Sequence, residues 1–236
     1  MSRRSLSLVL LGVLLALYAW HKQRQGWESR PAPPPPGWTV IALPTDAYAL
    51  ILHGNTVWVG GRDGVFELSR SARQLVQPLA LTPPVTYVRA LAVAADGTLW
   101  IGHLDGLTRH TPTGTVTLTE ADGLPDRRIN ALAFDAHHRL WAGTWNGLAL
   151  RTDSGWRTWR QADGLAADMV NVVLPLPDGR LGVGSYIAPQ GGVTIFDPDS
   201  GHAQRITTTE GLPHNNITSL LALPDGRLVG GTRQGH

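Results

Sequence analysis

The chain has 236 residues, of which 42% are hydrophobic, 16% are charged and none is cysteine. This length and apolar content allow one globular domain with extensions, and the 27 glycines and 17 prolines favour many short strands joined by tight turns over long solvated helices. Without cysteine, the chain cannot form disulfides, thiolate metal sites, a cysteine nucleophile or a lipid-modified cysteine.

The positive net charge belongs to the N-terminal head. Residues 1–37 hold five basic residues and one acidic residue, a balance of +4, whereas residues 38–236 hold 15 arginines against 17 acidic residues, a balance of −2. A protein that binds nucleic acid needs a basic patch on its folded domain to neutralise phosphates. The charge distribution therefore predicts that nucleic acid is not a partner.

An apolar segment runs from Leu6 to Trp20 and has basic residues on both sides. We interpret residues 1–30 as a hydrophobic helix that anchors the chain in a membrane. A cleaved signal peptide is the alternative, because 15 residues match a signal-peptide core and fall short of the roughly 20 needed to cross a bilayer upright. A buried soluble helix is a third interpretation. The proline-rich residues 31–37 are predicted to form a semi-rigid linker.

A repeat of about 42 residues organises the remaining chain, residues 38–236. Trp58, Trp100 and Trp141 are 42 and 41 residues apart. In each copy an apolar run precedes a short turn and a second apolar run that ends in small residues, as in Ile129–Phe134 followed by Leu140–Thr144. We place the copies at residues 48–86, 87–128, 129–169, 170–216 and 217–236.

These copies predict an all-β fold, a β-propeller of four-stranded antiparallel blades with four full copies and a partial fifth. One small sheet cannot bury both of its faces, and stacking neighbouring sheets around an axis does so. Glycines in the second runs are expected to allow close approach between backbones. Residues 38–41 are predicted to form an additional outer strand. The fifth copy supplies only two strands, so we expect the sequence to be a fragment of a longer chain.

Two polar motifs that could suggest a metal are interpreted as turns. His137–His138 occupies the turn that the other copies fill with Gly-Asn or Asp-Gly, and Asp197–Gly201 occupies the turn before a fourth strand. Neither motif has further ligands at the spacing that zinc or calcium requires. We therefore predict neither a metal nor a cofactor.

The series Asp122–Pro125, Ile129–Leu132, Leu140–Thr144 and Gly147–Leu148 resembles the two-component regulator propeller repeat. The resemblance covers residues 48–236 and is strongest in copies two, three and five. Members of that family form the extracytoplasmic sensing propellers of membrane-bound histidine kinases and related regulators. The resemblance thus implies a domain in the periplasm or extracellular space behind an inner-membrane anchor, with a downstream kinase or regulator domain as a partner.

Polar residues where each loop meets its first strand form a candidate ligand-binding rim at the channel mouth. The rim comprises Arg89, Arg127, Asn130, Asp168, Asn171, Asn215 and Asn216, with Arg128 as a weaker member. Arginine and asparagine side chains could bind a carboxylate or a sugar-like ligand through charge-assisted and paired hydrogen bonds. The alternative is that these side chains only cap and fasten the loops.

The sequence contains no Gly-x-Ser-x-Gly elbow, phosphate-binding glycine loop or His-Glu-x-x-His helix, and we assign no catalytic residue. We predict a non-catalytic sensing or binding propeller of a signalling protein, with a small molecule or a protein partner at its mouth. A propeller lyase or hydrolase with its active site at the mouth is one alternative. A structural scaffold for protein interactions is the other.

Overall fold

The computed structural model describes residues 35–37, 46–69, 71, 74–187 and 189–233. The chain divides into two compact units, residues 1–40 and residues 41–236, and every strand of the described residues belongs to the second unit. The predicted anchor helix, most of the linker and the predicted strand at residues 38–41 lie outside the described residues. Within the described ranges, none of the helices has the length and apolar character needed to span a bilayer.

The strands form five antiparallel sheets, each in simple chain order. Sheet 1 contains β1 (Ala47–His53), β2 (Thr56–Gly61), β3 (Gly64–Ser69) and β4 (Gln74–Pro78). Sheet 2 contains β5 (Ala90–Val93), β6 (Leu99–His103), β7 (Gly106–Thr111) and β8 (Gly114–Leu118). Sheet 3 contains β9 (Ile129–Phe134), β10 (Leu140–Thr144), β11 (Gly147–Thr152) and β12 (Gly155–Trp159). Sheet 4 contains β13 (Val170–Pro175), β14 (Leu181–Ser185), β15 (Gly192–Phe196) and β16 (Ala203–Ile206), and sheet 5 contains β17 (Ile217–Ala222) and β18 (Leu228–Thr232).

The first strands of neighbouring sheets contact one another, β1 with β5, β5 with β9, β9 with β13, and β13 with β17. The sheets therefore stack in chain order with their first strands on one side, and we call the end where these strands begin the mouth. The predicted all-β architecture of four-stranded antiparallel sheets is confirmed. Short 3₁₀ helices at Glu120–Asp122, Gln161–Asp163 and Thr208–Glu210 precede sheets 3, 4 and 5.

Glycines of the second strands set the distance between sheets. Each faces a β-branched residue at the start of the next sheet or, for Val88, two residues before it, and all four of those residues are fully buried. The pairs are Gly60 with Val88, Gly102 with Ile129, Gly143 with Val170, and Gly184 with Ile217. A Cβ atom on Gly143 would lie 2.7 Å from Val170 Cγ1, which is closer than carbon atoms pack. The expected close approach at these glycines is confirmed.

The turn between the first and second strands contains a residue with left-handed backbone conformation in sheets 2, 3, 4 and 5. Gly97, Gly179 and Gly226 have φ values of 85°, 87° and 85°, and His138 takes the same place in sheet 3 with φ of 59°. The interpretation of His137–His138 as a turn is confirmed. Asp197 likewise accepts hydrogen bonds from within its own turn, from the Asp199 and Ser200 backbone N–H groups at 3.0 and 3.3 Å.

Asp135 is a buried polar centre at the turn of sheet 3, with 7% of its surface exposed. Its carboxylate accepts hydrogen bonds from Trp141 Nε1 at 2.9 Å and from Arg139 Nε at 2.6 Å. It also accepts from the backbone N–H groups of His137 and Arg139 at 2.9 and 3.0 Å. Burial opposes ionisation of Asp135, but these hydrogen bonds outweigh it and hold the pKa of the carboxyl below its ordinary value.

Candidate functional site

One residue at the start of each first strand, or directly before it, occupies the same place in all five sheets. The five are Tyr48, Arg89, Asn130, Asn171 and Thr218, at spacings of 41, 41, 41 and 47 residues. Tyr48, Asn130, Asn171 and Thr218 each sit at a β-bulge, where the pairing with the second strand skips one residue. A bulge redirects the side chain of the extra residue away from the regular alternation of the strand.

These five side chains, together with Tyr87, line one cavity of 440 Å³ at the mouth, which we call the mouth cavity. Its volume lies within the roughly 300–1,000 Å³ that is usual for small-molecule sites. The sequence-predicted rim residues Arg89, Asn130 and Asn171 are thus brought together. The sequence interpretation did not include Tyr48, Tyr87 or Thr218. Tyr48 and Thr218 could have been found from the sequence, because their spacing within the repeat places them at positions equivalent to Asn130. Tyr87 has no equivalent spacing.

The two asparagines of the mouth cavity join neighbouring sheets. Asn130 Nδ2 donates to the Val170 carbonyl of sheet 4 at 3.2 Å, and its Oδ1 accepts from Trp145 Nε1 at 3.2 Å. Asn171 Nδ2 donates in the same way to the Ile217 carbonyl of sheet 5, at 3.1 Å. Both amide planes are therefore fixed before any ligand arrives.

Arg89 supplies the formal charge of the mouth cavity. Its side chain is exposed, while its backbone N–H is held by the Gly102 carbonyl at 2.8 Å. Among the described residues, no side chain accepts a hydrogen bond from the Arg89 guanidinium. A fixed backbone and an uncommitted guanidinium suit the recognition of a carboxylate, which can accept two parallel N–H bonds.

Three other predicted rim residues fasten the 3₁₀ helices instead of lining the cavity. Glu120 accepts from the Arg127 backbone N–H at 3.0 Å and pairs with Arg127 Nε at 3.0 Å, and the bond from the Arg127 side chain lowers the pKa of Glu120 to about 2. Asp168 Oδ1 accepts from the Gln161 N–H at 2.7 Å, and Asn215 Oδ1 accepts from the Thr208 N–H at 2.8 Å. The contacts of these three side chains agree with the alternative interpretation, in which the rim residues only cap and fasten the loops.

The remaining two predicted residues also lie outside the lining of the mouth cavity. Asn216 is 7% exposed, and its Oδ1 has no hydrogen-bond partner among the described residues. Arg128 pairs with Asp126 and lies over the Trp145 ring, with 4.2 Å from its Cζ to the ring centroid. Within the described ranges, no group of three or more histidine and acidic side chains could hold a metal ion.

His103 is a buried titratable group at the mouth end of β6, with 3% of its surface exposed. Its Nδ1 accepts from the Asp105 N–H at 3.3 Å, so the proton of the neutral ring lies on Nε2, which then donates to Thr108 Oγ1 at 2.9 Å. Thr108 is itself bonded to Thr117 through their hydroxyls at 2.8 Å. Burial lowers the pKa of His103, and the nearby Asp105 only partly offsets this.

We expect His103 to make the fold less stable in mild acid. Because the folded-state pKa is lowered, the unfolded chain binds more protons once the pH falls through the ordinary histidine pKa of about 6.5, and the free energy of unfolding decreases below that value. Urea unfolding at about pH 7.5 and about pH 5.5 should show a smaller loss for His103→Gln than for the natural chain. Equal losses in both proteins would contradict this role.

Comparison with known families identifies one copy directly. Residues 123–146 match the family model described as "Two component regulator propeller". This segment is a two-component regulator propeller repeat. The matched propeller repeat begins directly after the 3₁₀ helix Glu120–Asp122 and includes β9 and β10 of sheet 3. The predicted resemblance is confirmed. No curated protein matches the sequence.

Solved structures share the fold of this propeller. One is the extracellular domain of a protein described as the hybrid two component system BT3049 from B. thetaiotaomicron, with TM-score 0.72, 16% identity, and coverage of 83% of this chain and 28% of that chain. Another, the extracellular domain of a one component system described as BT4673 from the same organism, has TM-score 0.66, 24% identity, and coverage of 78% and 25%. Virginiamycin B lyase from Staphylococcus aureus has TM-score 0.61, 16% identity, and coverage of 79% and 63%.

This propeller chain therefore spans about a quarter of the length of the two B. thetaiotaomicron domains. At identities of 16% and 24% the likeness shows the fold alone. A shared fold hosts many activities, so function has to be argued from the site.

Proposed function

We propose that this protein is a non-catalytic, extracytoplasmic sensing propeller that binds a small ligand in the mouth cavity. The observation that carries the proposal is the convergence of one equivalent position from all five sheets on a single 440 Å³ cavity, which is lined by Arg89. Binding there would contact every sheet at once. The output would pass to a downstream kinase or regulator domain.

The chemistry of the mouth cavity favours a ligand that carries one carboxylate and several hydroxyl groups. Arg89 would hold the carboxylate, while Thr218 and Asn171 Oδ1, which accepts no hydrogen bond from the described residues, would bond hydroxyl groups. Tyr48 and Tyr87, which are 51% and 41% exposed, offer ring faces to the apolar side of a sugar-like ring. The described lining contains neither a carboxylate nor an imidazole.

Two observations support the extracytoplasmic part of the proposal. Two similar structures are extracellular domains of systems described as hybrid two component and one component. The sequence also contains the apolar segment Leu6–Trp20. In the proposed arrangement residues 1–30 anchor the chain in the inner membrane and the sheets lie outside the cytoplasm.

The ligand proposal is tested with D-glucuronate, a hydroxylated ring with one carboxylate, and with neutral D-glucose as the matched compound. Isothermal titration calorimetry of the full chain should show saturable binding of glucuronate and at least about tenfold weaker binding of glucose. Arg89→Gln should weaken glucuronate binding by about tenfold or more, because it removes the charged donor.

Arg127→Gln provides the matched control, since Arg127 was predicted from sequence as a rim residue but pairs with Glu120 and does not line the cavity. Its glucuronate affinity should equal that of the natural chain. Equal binding of glucose and glucuronate, or equal losses in the two arginine variants, would show that Arg89 is not the ligand contact.

The anchor is tested by fractionation of cells that produce the full chain. The protein should sediment with membranes and resist extraction with alkaline carbonate, whereas a chain that starts at residue 31 should not. Mass spectrometry of the recovered protein distinguishes the alternative. A mature chain that lacks residues 1–20 would show that the segment is a cleaved signal peptide.

A further inference from the structure

Aromatic rings fill the interface between sheets 3 and 4. Phe196 of sheet 4 packs edge-on against Trp141 and Trp159 of sheet 3, with ring centroids 6.1 and 5.1 Å away. Leu150 belongs to the same buried cluster. Three rings and a leucine side chain therefore close this interface.

The interface between sheets 2 and 3 has different residues at the same places. Trp100 faces Arg109 across the strands, as Trp141 faces Leu150. Leu118 takes the place of Trp159 at the end of the fourth strand, and Arg151 takes the place of Phe196 as the fifth residue of the third strand. Two guanidinium groups thus stand where the neighbouring interface has a phenyl ring and a leucine.

A cavity of 520 Å³ lies at this place, and we call it the interblade cavity. It is at the end of the sheets opposite the mouth, because its walls include the turn after β5, the turn after β9 and the turn after β11. Trp100, Phe134 and Leu140 form its apolar part, and Trp100 and Leu140 are 6% and 4% exposed. The mouth cavity and the interblade cavity share no lining residue.

Arg151 lines the interblade cavity beside two tryptophan rings. Its Cζ lies 5.4 Å from the Trp100 ring centroid and 5.8 Å from that of Trp156. A cation–π contact supplies no hydrogen-bond acceptor, so it leaves the guanidinium able to donate to a carboxylate. Among the described residues, neither Arg151 nor Arg109 has an ion pair or a side-chain hydrogen bond. Arg139 on the same wall differs, since it pairs with Asp135 at 2.6 Å.

Two carboxylates of the interblade cavity limit the charge of the ligand. Asp96 and Asp153 also belong to its lining, and Asp96 already accepts from the Thr98 N–H at 2.9 Å. They balance the formal charges of Arg109 and Arg151. A ligand with several negative charges would meet repulsion there, whereas one acid group next to the two guanidiniums would not.

We propose that the interblade cavity is a second binding site, which takes a small aromatic monocarboxylate. The aromatic ring of the ligand packs against the apolar part of the cavity, which Trp100, Phe134 and Leu140 form beside the Arg151 guanidinium. The carboxylate accepts hydrogen bonds from Arg109 and Arg151. This site does not depend on the proposed function of the mouth cavity.

The test uses 2-naphthoate as the probe and neutral 2-naphthamide as its isostere, both titrated calorimetrically into the full chain. Naphthoate should bind saturably, and naphthamide at least about tenfold more weakly, because it cannot form the charge-assisted bonds. Arg151→Phe rebuilds the aromatic filling seen between sheets 3 and 4, so this variant should fold with an unchanged or higher unfolding temperature and lose naphthoate binding by tenfold or more.

Arg109→Leu, which introduces the residue found at Leu150, should weaken naphthoate binding about tenfold and serves if the first variant does not fold. Arg157→Leu is the matched control, since Arg157 also stacks on a tryptophan, 4.5 Å from the Trp159 centroid, but does not line the cavity. Its affinity should be unchanged. No saturable binding of naphthoate, equal binding of naphthamide, or unaltered binding by folded Arg151→Phe or Arg109→Leu would overturn the proposal, as would an equal loss in Arg157→Leu.

Discussion

Replacing Asp135 by alanine is expected to lower the free energy of unfolding by about 3 kcal/mol, the scale found when one partner of a buried charged pair is removed. The change leaves Trp141 Nε1 and Arg139 Nε without their acceptor. Trp141 has no solvent exposure, so water cannot replace the lost carboxylate at the indole N–H. Urea unfolding followed by tryptophan fluorescence measures the effect.

Asp178→Ala is the control for this prediction. Asp178 also bonds within a turn between first and second strands, to the Arg180 N–H at 3.1 Å and the Arg180 guanidinium at 2.6 Å, but half of its side chain is exposed. Its loss should cost less than about 1 kcal/mol. If the two variants were destabilised equally, the buried bonds of Asp135 would have no special role.

Gly143→Ala is expected to destabilise the chain by about 2 kcal/mol, because overpacking of a close contact costs roughly this amount. The new Cβ would lie 2.7 Å from Val170 Cγ1 and 3.2 Å from Ala131 Cβ, so sheets 3 and 4 would have to separate. Val170 precedes Asn171, and the displacement should therefore weaken glucuronate binding in the mouth cavity as well.

Gly182→Ala is a matched control in the same kind of strand, since its new Cβ would meet only ordinary contacts of 3.5 Å and more. It should change the unfolding free energy by less than about 0.5 kcal/mol. Adding Val170→Ala to the Gly143→Ala chain should recover part of the loss if the two side chains collide. Strictly additive effects would contradict the steric explanation.

The repeat made the fold predictable, because recurring tryptophans, glycines and turn residues fix strand order and spacing without any knowledge of long-range contacts. The direction of the rim side chains was less predictable. Arg127 and Asn130 are three residues apart at the same loop–strand junction, yet the first pairs with Glu120 and the second enters the mouth cavity. Asn130 lies at the bulge of β9, and the position of this bulge depends on pairing with β10.

The burial of Asp135 is not predicted from the sequence, because His137 and His138 are the more conspicuous residues of that turn. A signal was present, since the places equivalent to Asp135 hold Ala94, Leu176 and Leu223 in the other copies, as their shared turn hydrogen bonds show. An acidic residue at an apolar position of a repeat indicates a buried partner. The interblade cavity was also unpredictable from one copy, because it arises from differences between copies at Arg109, Leu118 and Arg151.

The side chains of Asn130 and Asn171 line the mouth cavity. Their amide groups also donate hydrogen bonds to the next sheet, to the Val170 carbonyl of sheet 4 and the Ile217 carbonyl of sheet 5. A ligand that left these hydrogen bonds intact would stabilise the interfaces between sheets 3, 4 and 5. A ligand that bound either amide in place of the carbonyl would weaken one of these interfaces. Ligand binding and the hydrogen bonding between sheets are then coupled, and each changes the free energy of the other by the same amount. Protection of the amide hydrogens along β13 and β17 against exchange would report which of the two responses a given ligand produces.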